Sequence, residues 1–123
     1  MSARPAAGAP QSLADLRTHF RDGKAALVRH FLDSRASATT AQRLLRGLAR
    51  HVDGTLQALW AMSPMPAGAT LLAVGGYGRG ELFPYSDVDV LVLLPDGAPT
   101  SAVEGFITAC WDIGLEIGSS VRT

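Results

Sequence analysis

Two carboxylates, Asp87 and Asp89, stand either side of Val88 at the head of the apolar run Val90-Leu91-Val92-Leu93-Leu94. A run of this length, bounded by turn residues, suits a buried strand better than a helix. Residues two apart on a strand share one face, with Cα atoms about 6.6 Å apart. Two carboxylates so placed repel each other unless a cation sits between them. Mg²⁺ is the matching ion, since it takes carboxylate oxygens together with substrate phosphates. Asp87 also has a plainer reading, because Ser86-Asp87 is good turn chemistry. Asp89 is harder to set aside: a carboxylate inside an apolar strand is costly to bury without a partner, and a metal would be that partner.

Asp87 lies eleven residues beyond Gly76, in the segment Gly75-Gly76-Tyr77-Gly78-Arg79-Gly80. Glycine backbone N–H groups can approach phosphate oxygens with no Cβ in the way. The segment is not a Walker loop, as no Gly-Lys-Ser/Thr follows, and its glycine spacing does not match G-x-G-x-x-G. A dinucleotide fold would also place its acid at the end of the following strand, whereas Asp87 and Asp89 begin theirs. Gly75 and Gly76 are therefore the candidate phosphate cradle. Arg79 has two readings, a clamp on phosphate or a salt bridge to Glu81, and guanidinium geometry favours phosphate. Ser86 could hydrogen-bond a phosphate or cap the turn. A phosphate cradle beside metal carboxylates implies nucleotide chemistry.

The elements that must position these groups fall into two halves. Ser12-Leu13-Ala14-Asp15 opens a helix in the manner of a capping box. Leu13, Leu16, Phe20, Leu27, Val28 and Phe31 recur along it at helical spacing, with Gly23 a weakness in the middle. A second helix, capped by Thr39 or Thr40, carries Leu45, Leu48, Val52, Leu56 and Leu59 on one stripe. His19, His30 and His51 lack metal-ligand spacing and read as surface or helix-packing residues. Ser63-Pro64-Met65-Pro66-Ala67-Gly68 breaks the pattern. Strand one is expected at about 70–74, the glycine turn at 75–76, a short helix or turn at 77–82, and strand two at 87–94. A helix opened by Ser101-Ala102-Val103-Glu104 follows, with Val103, Phe106, Ile107, Cys110 and Trp111 along it and Gly114 as its C-terminal cap. Strand three is expected at 115–119. The expected organisation is a mobile tail over 1–11, a helical segment over 12–62, and the strand-rich part over 63–123.

Composition narrows the class. With 47% hydrophobic and 18% charged residues, the chain suits one soluble globular domain at most. Zero net charge argues against a general binder of nucleic acid or other polyanions. The balance is uneven, however. Residues 1–60 hold nine Lys/Arg and four Asp/Glu, and residues 61–123 hold two and seven. The acidic half contains the candidate metal carboxylates, although such a dipole would equally help the halves dock. A single cysteine, Cys110, in an apolar helical pattern fits a buried thiol in a reducing cytoplasm. No apolar run approaches the roughly 20 residues of a membrane span, and residues 1–10 hold no apolar core of a signal peptide.

The string Gly75-Gly76-Tyr77-Gly78-Arg79-Gly80-Glu81-Leu82-Phe83-Pro84-Tyr85-Ser86-Asp87-Val88-Asp89-Val90-Leu91-Val92-Leu93 resembles the nucleotidyltransferases that share the polymerase-β palm. Within them it is similar to the N-terminal domain of the bacterial PII uridylyltransferase/uridylyl-removing family. The run Trp111 to Thr123 continues the likeness, with Ser119 where that family often has His. The likeness is strong over about residues 70–123 and unspecific before them.

The resemblance implies an α+β palm, N-terminal helices followed by a small mixed sheet, present here as an incomplete fragment with little activity of its own. It implies Mg²⁺-dependent transfer of UMP from UTP to a tyrosine of the PII signal protein, in nitrogen regulation. Asp87 and Asp89 would hold the metal, and Gly75, Gly76, Arg79 and Ser86 the nucleotide phosphates. Palm-type enzymes use a third carboxylate from a neighbouring strand. Glu116 is the strand-borne candidate, the alternative being that it faces solvent and the third acid lies past Thr123. Uridylyl removal belongs in that family to a separate His-Asp domain, and glutamine sensing to regulatory domains, neither expected here. The alternatives are another nucleotidyltransferase, of adenylyltransferase or toxin–antitoxin type, or a non-catalytic remnant that binds nucleotide or a partner.

Overall fold

The computed structural model describes residues 12–84 and 87–123. The first two elements are long helices, α1 (Leu13–Asp33) and α2 (Ala38–Met62). Ser12 caps α1 as the sequence predicts, its Oγ accepting the Asp15 N–H at 3.1 Å. The cap of α2 is Ser37 rather than Thr39 or Thr40. Ser37 Oγ accepts the Thr40 N–H at 3.1 Å, and Thr40 Oγ1 accepts the Ser37 N–H at 2.9 Å. Thr40 is thus the reciprocal partner three residues on, a role a hydroxyl can fill in place of the usual Glu or Gln.

The two helices run antiparallel. Phe20 of α1 stacks on His51 of α2, with ring centroids 5.5 Å apart and planes within 4°, while further along α1 Leu27 lies over Gly47 of α2. His51 is therefore a helix-packing residue, its Nε2 2.9 Å from the Phe20 carbonyl oxygen. The buried stripe of α2 runs through Leu44, Leu48, Val52, Leu56 and Leu59. Leu45, expected on that stripe, is only half-buried. On α1 only Leu16 and Phe20 are fully buried. Beyond Phe20, the apolar residues Leu27, Val28 and Phe31 of α1 are only partly buried.

The sheet has three strands in the order β1 (Thr70–Ala73), β2 (Val88–Leu93), β3 (Ile117–Arg122). Strand β1 is antiparallel to β2, with Ala73 opposite Val90. Strand β3 is parallel to β2, with Val88 opposite Ile117 and Asp89 opposite Gly118. The parallel pair is joined through a helix, α4 (Ser101–Asp112), as a crossover requires. Thr100, not Ser101, precedes that helix, and no side chain caps it. Gly114, at φ +96°, turns the chain out of it. The fold is α+β, with helices on one face of a small mixed sheet.

Alternation along β2 sends Val88, Val90 and Val92 into the core, at 3%, 1% and 0% exposure, and Asp89, Leu91 and Leu93 to the opposite face. Phe106 and Cys110 of α4, Leu56 and Leu59 of α2, and Ile113 and Leu115 fill the covered side. Trp60 meets Phe106 edge-on at 5.2 Å, a favourable aromatic geometry. Cys110 is a free, fully buried thiol, and burial pushes its pKa up to about 12. Trp111, expected on the apolar stripe of α4, is instead exposed. It follows Cys110 by one residue, 100° round the helix and away from the sheet.

Candidate functional site

The glycine segment is a single turn of helix, α3 (Gly75–Gly78), rather than a turn at 75–76 followed by a short helix or turn over 77–82. Gly75 sits at φ +63°, a conformation that side-chain-bearing residues rarely adopt. The N–H groups of Gly78 and Arg79 bond back to the Val74 and Gly75 carbonyls at 2.9 and 3.2 Å. Those of Gly75, Gly76 and Tyr77 begin the turn and have no partner within it. They are the N–H groups a phosphate could meet.

Strand β1 delivers this turn to the carboxylate strand. The Val74 N–H bonds to the Asp89 carbonyl at 3.1 Å, extending the β1–β2 ladder by one residue. From the other side, Tyr77 anchors α3. Its ring is buried in the core, and its hydroxyl donates to Asp53 Oδ1 on α2. Burial, then the hydrogen bond and the charge of Asp53, hold the phenol well above its ordinary range, so it stays a neutral donor. Sequence reasoning assigned Tyr77 and Asp53 no role. The available signal was that Asp53 is the sole acid within α2, and Tyr77 the sole aromatic side chain among the glycines.

Asp89 is on the open face of the sheet and exposed, which corrects the expectation of a buried carboxylate: helices cover only the valine face of β2. It makes no hydrogen bond or ion pair with any described residue. Its two oxygens point at two glycines. A Cβ on Gly75 would lie 3.0 Å from Oδ2, and one on Gly118 would lie 2.7 Å from Oδ1. Gly118 is a third residue that sequence reasoning missed. Asp87 is exposed just ahead of the strand.

Arg79 ends α3 and is exposed. Its guanidinium lies over Gly76, with Nη2 3.6 Å from where a Cβ would stand. It forms no ion pair with Glu81 or any other described residue. Ser86 lies outside the described residues. Glu116 precedes β3 instead of lying within it. Its carbonyl accepts the Val88 N–H at 2.8 Å, and the residue lines a cavity of about 260 Å³ with Lys24, His51 and Phe83. Asp89 is not part of that cavity's lining. Among the described residues no three His, Cys, Asp or Glu side chains form a group able to hold a metal ion, so Glu116 is not brought together with Asp87 and Asp89. Among those residues, too, no helix is long and apolar enough to cross a membrane.

The chain is 48% identical over 121 residues to the bifunctional uridylyltransferase/uridylyl-removing enzyme of Burkholderia vietnamiensis, an overlap of 96% of this chain and 14% of that protein. It is 53% identical over 113 residues to the enzyme of the same name from Cupriavidus pinatubonensis, covering 89% of this chain and 12% of the relative. For the Bordetella avium protein of that name the figures are 59% over 83 residues, 65% and 10%. The chain thus spans at most 14% of the length of these relatives. No solved structure matches it. The nucleotidyltransferase domain model matches residues 53–117, a span that runs from the Asp53 anchor through the glycine turn and both carboxylates to the start of β3. The chain belongs to the nucleotidyltransferase domain family.

Proposed function

We propose that this chain carries the nucleotide-transferring site of a uridylyltransferase, which moves UMP from UTP to a tyrosine of the PII signal protein in the cytoplasm. The observation that carries the transferase reading is the Asp89 carboxylate, which pairs with no described residue, set between two glycines beside a turn whose first N–H groups have no partner within it. The uridylyl group is supported by the names of the relatives. The PII tyrosine acceptor rests on the resemblance of residues 70–123.

The donor set fits Mg²⁺: two exposed carboxylates of hard oxygen, one of them flanked by positions bare of side chains. Asp87 and Asp89 would hold the ion, and the proposal does not need Glu116. When bound, Mg²⁺ neutralises triphosphate charge and makes the attacking hydroxyl more acidic. The residues of the chain bind and orient. The N–H groups of Gly75 and Gly76 donate to phosphate oxygens, and Arg79, free of Glu81, pairs with a further oxygen. Ser86 adds a hydrogen bond to phosphate. The acceptor oxygen then forms a bond to the α-phosphorus, the α–β anhydride bond breaks, pyrophosphate leaves, and the hydroxyl proton passes to solvent.

The test is to incubate the complete protein with PII, Mg²⁺ and each of four labelled nucleoside triphosphates. Label entering PII from UTP alone is the expected result. Label from ATP instead would establish an adenylyltransferase, and nucleotide binding with no transfer would establish a non-catalytic binder. The 123-residue chain assayed alone should turn over little, because the acceptor must be held closely on rigid elements and the described part of the sheet's open face offers none to hold it.

A further inference from the structure

We infer that Gly118 is a positioning residue for the transfer site: its missing side chain keeps the Asp89 carboxylate in the orientation that takes the metal. The inference rests on the reading of Asp89 as a Mg²⁺ ligand. The parallel register sets Gly118 directly opposite Asp89, on the same open face of the sheet. A Cβ at Gly118 would stand 2.7 Å from Asp89 Oδ1 and 3.9 Å from Cγ. That first distance is closer than non-bonded carbon and oxygen atoms tolerate, so one of the two groups must move. The carboxylate is the group that can, by rotation about its side-chain bonds. Gly75 stands on the other side, where a Cβ would lie 3.0 Å from Oδ2 and 3.8 Å from Cγ. The carboxylate is therefore held open by two bare positions, one at each oxygen, and a methyl at position 118 closes one of them.

The two glycines differ in a way that makes the idea testable. Gly75 lies at φ +63°, so any substitution there strains the backbone as well as crowding the carboxylate. Gly118 is not among the positive-φ glycines and lies within β3. An alanine there keeps an ordinary strand backbone, and interior strand positions favour alanine over glycine. A purely structural glycine would show its loss in the melting temperature. A positioning glycine would show it in metal affinity while the melting temperature holds or rises.

The experiment measures Mn²⁺ binding by electron paramagnetic resonance, and thermal melting, in the complete protein as wild type, Gly118→Ala and Asp89→Asn. The expected result is loss of the site's Mn²⁺ in Asp89→Asn. In Gly118→Ala the expectation is a weakening on the order of 10–100-fold, the range for groups that orient a metal ligand, with melting unchanged or higher. If Asp89→Asn loses the ion and Gly118→Ala keeps full affinity, the inference about Gly118 is wrong and the metal reading stands. If Gly118→Ala melts well below wild type, the glycine serves strand packing and the inference is again wrong. If Asp89→Asn binds Mn²⁺ like wild type, the metal reading itself fails and takes the inference with it.

Discussion

The two faces of one strand, β2, have opposite fates. Val88, Val90 and Val92 are sealed beneath α2 and α4, whereas Asp89 and Leu93, one residue out of phase, face away from those two helices. On the covered face, helix and sheet side chains interlock, and removing any of them leaves a void. On the open face, Leu72 and Leu93 stay 40% and 36% exposed, and Asp89 pairs with no described residue. A sheet divided in this way can vary its chemistry without endangering its fold. Stability and activity should therefore come apart when residues only one position apart are changed.

The most forceful test of that division is on the open face. Asp87→Asn or Asp89→Asn should lower transfer by about three orders of magnitude or more, roughly 4 kcal/mol of barrier, with the melting temperature within a degree or two of wild type by about the surface-substitution range. A large fall in melting temperature would show that the carboxylates also hold the fold. Next, Phe106→Ala on the covered side should cost about 3–5 kcal/mol of stability, read by chemical denaturation, while the folded fraction keeps its affinity for Mn²⁺. Loss of metal binding in protein still folded would erase the separation between the faces. The smallest effect belongs to the link between them. Tyr77→Phe removes a hydrogen bond to a carboxylate, and should cost about 1.5 kcal/mol, with a rise in the Michaelis constant for nucleotide as α3 loosens. The same residue sharpens the picture at high pH. The phenol and the Cys110 thiol both have pKa values raised by burial above their ordinary 10.0 and 9.0. Their contribution is complete below those ordinary values and is lost as pH rises past them towards the raised ones. Melting temperature should fall from about pH 9 upward, less steeply in Tyr77→Phe, and a flat profile would contradict their burial.

Much of the fold was legible in the residues. Helical spacing gave both long helices, because each carries one apolar stripe and a polar remainder, and Pro64, Pro66 and Gly68 marked where the helices stop. The choice of Leu45 over Leu44 came from treating the stripe as straight. At 3.6 residues per turn, either leucine lies near its edge, and only the packing of α1 decides between them. The Ser37 cap was missed because Ser37, Thr39 and Thr40 all have the right chemistry, and the reciprocal bond that selects Ser37 depends on backbone angles. Alternation gave Asp87 and Asp89 a common direction, but not whether that direction was covered, since burial depends on where distant helices land. Gly118 could not be tied to Asp89 without the β2–β3 register, which is fixed by an intervening crossover. Glycine in a strand signals close approach, but not of what.

Gly23, a weak point when α1 is considered alone, becomes a socket once the helices are paired. A Cβ there would lie 2.3 Å from the His51 ring, so the imidazole occupies the very space the glycine leaves empty. A slide of α1 along α2 by one turn, about 5.4 Å, would bring a side chain against that ring and abandon the bond from His51 to the Phe20 carbonyl. The hairpin is keyed to a single alignment. Two residues past the key, α2 presents Asp53 to the Tyr77 hydroxyl, and Tyr77 is built into the turn that offers its N–H groups to phosphate. The N-terminal helices thus act as a strut, braced at the Gly23 socket and bearing two residues further along α2 on the glycine turn, and whatever tilts α1 is felt there.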